Sequence, residues 1–150
     1  MSLKDKIRSE LTSAMRTQDK LRLSTLRGMI AAIETREKSG KTPEQLSDAQ
    51  IVSVLNKEVS KRKDTADIFQ KASRSDKAEQ ELAEAVIISE FLPAQLSAKE
   101  IEATVDHIIE TLNASSMKDM GGVMKAVTAE LGGKANSKDI SIIVRDKLSD

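Results

Sequence analysis

Helical spacing of the apolar residues is the feature that most constrains how this chain can fold. Every long segment repeats its apolar side chains at intervals of three and four residues, and none alternates with the two-residue period of a half-buried strand. Hydrophobic residues make up 39% of the 150 residues, which is enough to build a buried core. The pattern therefore predicts an all-α, multihelical fold, with a long four-helix N-terminal subdomain and a small three-helix C-terminal subdomain.

Local signals separate the second predicted helix from the third. Gly40 is expected to end the second helix, and Pro43 prevents the helix from continuing. Ser47 and Gln50 have the three-residue spacing of a capping box. The third helix is therefore expected to begin after Ser47 and to run to about Ser73.

The fourth helix is predicted from about Asp76 to Glu90. Its apolar stripe is expected to consist of Leu82, Val86 and Ile87. Glutamates that crowd a polar helix usually form a solvated face. We expect this of the four on the helix: Glu79, Glu81, Glu84 and Glu90.

A subdomain boundary is predicted directly after the fourth helix. Pro93 has no backbone N–H and disfavours helical geometry in the residue before it. Ser97 and Glu100 then form a second capping box, with Leu96 and Ile101 at the spacing of a hydrophobic staple. These signals predict subdomains over residues 1–93 and 94–150.

Two glycine pairs bracket the sixth predicted helix. Gly132-Gly133 fits a helix C-terminus, where a left-handed residue ends the helix, and Asn136 has the position of an N-cap for the seventh helix. Gly121-Gly122 lies in the first turn of the sixth helix, where glycine costs up to about 1 kcal/mol relative to alanine. Close approach of another part of the protein and close approach of a ligand are the two explanations.

Basic residues form two candidate anion-binding surfaces, although the net charge is zero. Residues 1–74 carry 16 basic and 10 acidic side chains, whereas residues 75–112 carry 2 and 9. The first candidate surface combines glycines, cations and the N-terminus of the seventh helix: Gly121, Gly122, Lys125, Gly133, Lys134, Asn136, Lys138 and Arg145. The second is a basic patch on the third helix: Lys57, Lys61, Arg62 and Lys63. Solvated helix faces are the other interpretation of both.

The residue types that are missing exclude several chemistries. There is no cysteine, and His107 is the one histidine and lies off the apolar stripe of its helix. No metal-ligand spacing and no phosphate-binding glycine motif occurs, so we predict no catalytic residue, no metal and no cofactor. The N-terminal residues lack the apolar run of a signal peptide, and no uncharged run approaches the ~20 residues of a membrane span. We expect a soluble, cytoplasmic protein without membrane contact.

Three motifs carry a resemblance to a known family: KLRLSTLR from Lys20, FLPAQL from Phe91, and DMGGVM from Asp119 followed by GKAN from Gly133. In this order and at these separations they resemble the GatB/YqeY family, and most of all its stand-alone YqeY proteins. The resemblance covers essentially the full chain. Two positions depart from the family pattern, with Phe91 where tyrosine is usual and Lys125 where a small residue often follows Val-Met.

The resemblance implies a role with tRNA. The tail half resembles the C-terminal module of the B subunit of the tRNA-dependent amidotransferase, which contacts tRNA while catalysis takes place in other domains and subunits. A YqeY-like module is also appended to a glutaminyl-tRNA synthetase, where it aids tRNA binding. The family is associated with carbon–nitrogen ligase activity that uses glutamine as amido donor, but this sequence has no ATP-binding motif and no recognisable nucleophile site.

Three functions follow, in order of preference. The first is a non-catalytic tRNA-binding module, or an accessory to an enzyme that modifies or aminoacylates tRNA. Only two aromatic residues, Phe69 and Phe91, are available for base stacking, so shape and phosphate recognition of a structured RNA is the expected mode. The second is a protein-interaction adapter that does not bind RNA, and the third is a carbon–nitrogen ligase acting alone.

Overall fold

The computed structural model describes residues 1–149 and confirms the all-α prediction. Within these residues no strand occurs, and two 3₁₀ turns cover Met117–Asp119 and Gly132–Lys134. The α-helices found there are α1 (Leu3–Thr17), α2 (Lys20–Glu37), α3 (Asp48–Lys71), α4 (Ser75–Ser89), α5 (Ala98–Leu112), α6 (Met120–Leu131) and α7 (Ser137–Leu148).

The chain divides into two compact units, each with its own apolar core. The first unit extends from Met1 to Leu92, and the second begins at Pro93. The first core is built by α1 to α4 and includes Ile7, Leu26, Met29, Ile33, Ile51, Leu55 and Ile88. The second is built by α5 to α7 and includes Ile101, Val105, Val123, Val127, Ile140 and Val144. Both cores follow the helical spacing of the sequence.

Side-chain caps determine where several helices begin. The hydroxyl of Ser47 accepts from the backbone N–H of Gln50 at 3.2 Å, and the Gln50 side chain accepts from the N–H of Ser47 at 2.8 Å. Ser97 and Glu100 make the same reciprocal pair at the start of α5, with both bonds at 3.2 Å. Both predicted capping boxes are therefore confirmed. They satisfy N–H groups that have no partner within the helix.

The prediction that Gly40 ends α2 is wrong, because the helix stops three residues earlier at Glu37. The carboxylate of Glu37 accepts from the backbone N–H of Leu46 at 3.2 Å and forms an ion pair with Lys4 at 2.8 Å. The bond to Leu46 holds the loop that follows α2 against the end of this helix, and the ion pair connects the same end to α1. The Lys4 ammonium, followed by the Leu46 N–H, lowers the pKa of Glu37 below its usual value.

The predicted apolar stripe of α4 is also wrong in part. Leu82 and Val86 are 43% and 66% exposed, whereas Ala78, Ala85 and Ile88 are buried. Glu81 and Glu84 do not belong to a solvated face, because their side chains are only 22% and 12% exposed. Both carboxylates face Arg62 of α3, with Nη1 lying 3.9 Å from Glu81 and 3.7 Å from Glu84. The side of α4 that faces α3 thus carries alanines and a partly buried charge cluster.

Substituting Ser97 by alanine is expected to destabilise the second unit. The change removes the cap of α5, which typically contributes about 1 kcal/mol to the free energy of unfolding. Urea unfolding followed by circular dichroism measures the loss. Ser137→Ala, at an exposed first-turn position of α7, is the matched control and is expected to change stability by less than about 0.5 kcal/mol. Equal effects of the two variants would contradict the role of the capping box.

Substituting Glu81 by glutamine is expected to change how stability depends on pH. Burial, and then the neighbouring Glu84 carboxylate, raise the pKa of Glu81 above the ordinary value of a glutamate, 4.5. The native state therefore retains a proton that the unfolded chain releases, and stability falls as the pH rises from 4.5 through the folded-state pKa. Glu81→Gln removes this loss, so its stability relative to the parent should improve between pH 4.5 and pH 7.

Urea titrations at several pH values measure this difference. Glu79→Gln, at an exposed position of the same helix, controls for the loss of one negative charge. If the stability of Glu81→Gln relative to the parent falls as the pH rises, the Glu81 carboxylate of the parent stabilises the native state more when it is ionised than when it is protonated.

Candidate functional site

Helices α6 and α7 of the second unit run in opposite directions side by side. The 3₁₀ turn Gly132–Lys134 joins them closely, so α7 begins beside the end of α6. At the other end of α7, the hydroxyl of Ser149 lies 3.7 Å from the sulfur of Met117, just before α6 begins. This arrangement decides which of the predicted site residues come together.

The candidate residues of the tail form two groups at opposite ends of α6. Gly121 and Gly122 lie in its first turn, with Lys125 one turn later. Arg145 belongs to the same end, because its carbonyl accepts from the Ser149 hydroxyl that contacts Met117. The second group, Gly133, Lys134, Asn136 and Lys138, follows the end of the helix. Nine residues separate Gly122 from Leu131, which places the groups about 14 Å apart along the helix axis.

Gly121 and Gly122 are exposed and face open space. A Cβ added to either glycine would meet no atom within 4 Å beyond its own turn of helix, as far as the described residues go. The explanation by internal packing, which the sequence left open, is therefore wrong. The first turn of α6 instead presents bare backbone, with the exposed Lys125 three and four residues further along.

Gly132 ends α6, as predicted, but with a different backbone geometry. Its φ of +57° is positive, whereas its ψ of −134° lies outside the left-handed helical region. The next two carbonyls are tied to the segment before α5. The carbonyl of Gly133 accepts from the Gln95 side chain and that of Lys134 accepts from the N–H of Leu96, both at 2.8 Å. The second glycine pair thus anchors this segment as well as ending a helix.

The N-terminus of α7 offers less to an anion than the sequence suggested. Asn136 is the predicted N-cap, and its side chain accepts from the backbone N–H of Lys138 at 2.9 Å. One of the N–H groups expected to face a ligand is thus already bonded. Asp139 adds a negative charge in the same turn, which would oppose a bound anion. The contribution of this end therefore comes mainly from the exposed side chains of Lys134 and Lys138.

The second predicted basic patch is wrong in its composition. The Arg62 side chain is only 20% exposed and turns towards Glu81 and Glu84, and its Nε is buried without a hydrogen-bond partner among the described residues. Lys63 is exposed and does not line the cleft that Lys57 and Lys61 share. The four basic residues that lie close together in the sequence therefore lie on different sides of α3.

Lys57 and Lys61 line a cleft of about 520 Å³ between α2 and α3. The side chains that define it are Ala32, Arg36, Val54, Lys57, Glu58 and Lys61. Arg36 comes from α2, and sequence reasoning missed it because nothing in the local pattern joins it to residues on α3. Only the pairing of the two helices could have revealed this neighbour.

Three further expectations from the sequence concern the histidine, metal ligands and membrane spans. His107 is exposed on α5, away from the buried Ile101, Val105 and Ile108. No three side chains of the histidine and carboxylate types come together as metal ligands in residues 1–149. Over the same residues, each helix is too short or too polar to cross a membrane.

The fold and the surface define a class: an all-helical protein of two units whose candidate sites are exposed surfaces and an open cleft. The chain belongs to the YqeY family. The family model described as Yqey-like protein matches residues 4–148, which confirms the resemblance carried by the three motifs.

Several fungal proteins are similar to this chain. "Altered inheritance of mitochondria protein 41, mitochondrial" of Lachancea thermotolerans is 32% identical over 113 residues, covering 73% of this chain and 59% of that protein. An uncharacterized protein of Schizosaccharomyces pombe is 35% identical over 91 residues, covering 61% and 72%. The chain thus spans about three fifths of the first relative. The mitochondrial name of that relative does not match the plain cytoplasmic location expected from the sequence.

Alanine substitutions at two glycines are expected to have opposite effects on stability. Gly122→Ala meets open space in a helical turn, so it should raise the free energy of unfolding by about 0.5–1 kcal/mol. Gly132→Ala must adopt a positive φ and should lower it by about 1–3 kcal/mol. Urea unfolding of the two variants beside the parent measures both changes. A destabilised Gly122→Ala would show that something in the protein does occupy this space.

Proposed function

We propose that the protein is a non-catalytic tRNA-binding module, or an accessory to an enzyme that modifies or aminoacylates tRNA. The observation that carries the proposal is the bare first turn of α6. Gly121 and Gly122 weaken their own helix, and no described part of the protein uses the space above them. A ligand that approaches the backbone closely would account for both facts.

The charges around this turn support an anionic ligand. Arg145 lies beside the start of α6, Lys125 lies midway along this helix, and Lys134 and Lys138 follow its end. Cations spread over about 14 Å suit contacts with several phosphates better than one enclosed anion. Folded RNA is recognised largely by its shape and its backbone, which needs no aromatic stacking platform.

A carbon–nitrogen ligase acting alone is the weaker candidate. Amide transfer from glutamine needs an activated nucleophile and a means of activating the acceptor. The chain has no cysteine and no recognisable nucleotide-binding motif. We still expect a cytoplasmic location. A mitochondrial location, which is part of one relative's name, would not change the surface that we propose binds RNA.

A tRNA transcript titrated with the protein tests the proposal by fluorescence anisotropy. We expect saturable binding that weakens as salt rises, because phosphate contacts release counterions. Lys125→Glu and Arg145→Glu should each weaken binding and reduce the slope of log K against log salt by about one. Gly121→Leu should bind less RNA yet keep its fold, because its side chain enters open space.

Lys6→Glu is the matched control, because it makes the same charge change at an exposed position of α1 in the first unit, which contributes no residue to the candidate surface. It should bind RNA nearly as well as the parent. No binding of tRNA by the folded protein at low salt would overturn the proposal. Equal losses in Lys6→Glu and Lys125→Glu would show that only overall charge matters.

A further inference from the structure

The cleft between α2 and α3 gathers three cations that have no carboxylate partner within residues 1–149. Arg36, Lys57 and Lys61 all line it, and the guanidinium of Arg36 donates a hydrogen bond to the neutral hydroxyl of Ser39, at 3.0 Å. Several other basic residues of this unit are paired with carboxylates, as Lys4 is with Glu37 at 2.8 Å and Arg22 is with Glu10 at 2.9 Å. The cleft therefore keeps an excess of positive charge, and this is complementary to an acidic partner.

The shape of the cleft suits an extended chain. Its lining runs along α3 from Gln50 to Lys61, twelve residues whose eleven helical steps span about 16 Å. Five residues of extended polypeptide cover the same length at about 3.3 Å each. Lys57 and Lys61 are about 6 Å apart along the helix axis, which is close to the ~6.6 Å between alternate residues of a strand.

We propose that this cleft binds an extended acidic segment of a partner protein, with glutamate or aspartate at alternate positions. Two acidic side chains then face Lys57 and Lys61, and the residue between them points towards the wall formed by α2. The half-buried Ala32 of α2 offers apolar contact to a small aliphatic side chain there, and the half-buried Val54 of α3 adds apolar surface to the floor of the cleft. This proposal does not depend on tRNA binding by the second unit.

Glu58 favours a peptide over a nucleic acid in this cleft. Its carboxylate is half-buried, lines the cleft beside the two lysines and has no cation partner in the described part of the chain. It repels phosphates and carboxylates alike, but a peptide backbone offers it N–H donors, which the phosphodiester backbone of a nucleic acid lacks. The lining includes no aromatic side chain on which a base could stack.

A fluorescein-labelled peptide of sequence Glu-Val-Glu-Val-Glu, titrated with the full-length chain and followed by anisotropy, tests the proposal. We expect saturable binding, and binding at least about tenfold weaker for the analogue with glutamine in place of glutamate. The double variant Lys57→Glu, Lys61→Glu should weaken binding by about tenfold or more. The double variant Lys63→Glu, Lys71→Glu changes the charge of α3 equally at exposed positions outside the cleft and should weaken it less than about threefold.

A variant on the other helix tests the same cleft independently of the lysine variant. Arg36→Glu should also weaken binding of the peptide, with circular dichroism confirming an unchanged fold. A uridine 12-mer should bind more weakly than the acidic peptide and should not respond to the double variant Lys57→Glu, Lys61→Glu more than to its control. Equal binding of the acidic peptide and its glutamine analogue, equal losses in both lysine double variants, or tighter binding of the uridine 12-mer than of the peptide would each overturn the proposal.

Discussion

Burial of helix stripes in two separate apolar cores is the constraint on which the rest of this structure depends. Each unit removes its own isoleucines, leucines and valines from water, so each can hold its helices in place without the other. The helix caps then determine where each helix starts. Binding is left to the outer side chains of these helices and to backbone that no side chain covers, as at Gly121 and Gly122, and both proposed surfaces are made of these groups.

Helix packing partly buries charged residues that the sequence pattern would place in solvent. Arg62 lies in a basic run and Glu81 in an acidic one, yet the two face each other between α3 and α4. Gly28 on α2 helps to make room, since a Cβ at this position would lie 3.4 Å from the Arg62 guanidinium. Removing Arg62 from the predicted patch leaves Lys57 and Lys61, and it is Arg36 from α2 that completes their cleft.

The two glycine pairs have different physical roles, although they look alike in the sequence. Gly132 supplies a positive φ that other residues rarely adopt, and Gly133 helps to anchor the segment before α5. Gly121 and Gly122 have ordinary helical geometry and open space around them. A conformational requirement explains Gly132, whereas for Gly121 and Gly122 we propose that the reason is a ligand that approaches from outside. This is why the tRNA proposal rests on Gly121 and Gly122.

The sequence by itself determined the all-α class, the capping boxes at Ser47 and Ser97, the cap at Asn136 and membership of the family. These depend on spacing within a few residues, where the helical period and the reach of a short side chain decide the outcome. Only the tertiary structure decided that Glu81 is partly buried, that Arg36 lines the same cleft as Lys57, and that none of residues 1–149 fills the space above Gly121. Those facts depend on which helices pair and which faces they turn to each other, and residues distant in the sequence set that arrangement.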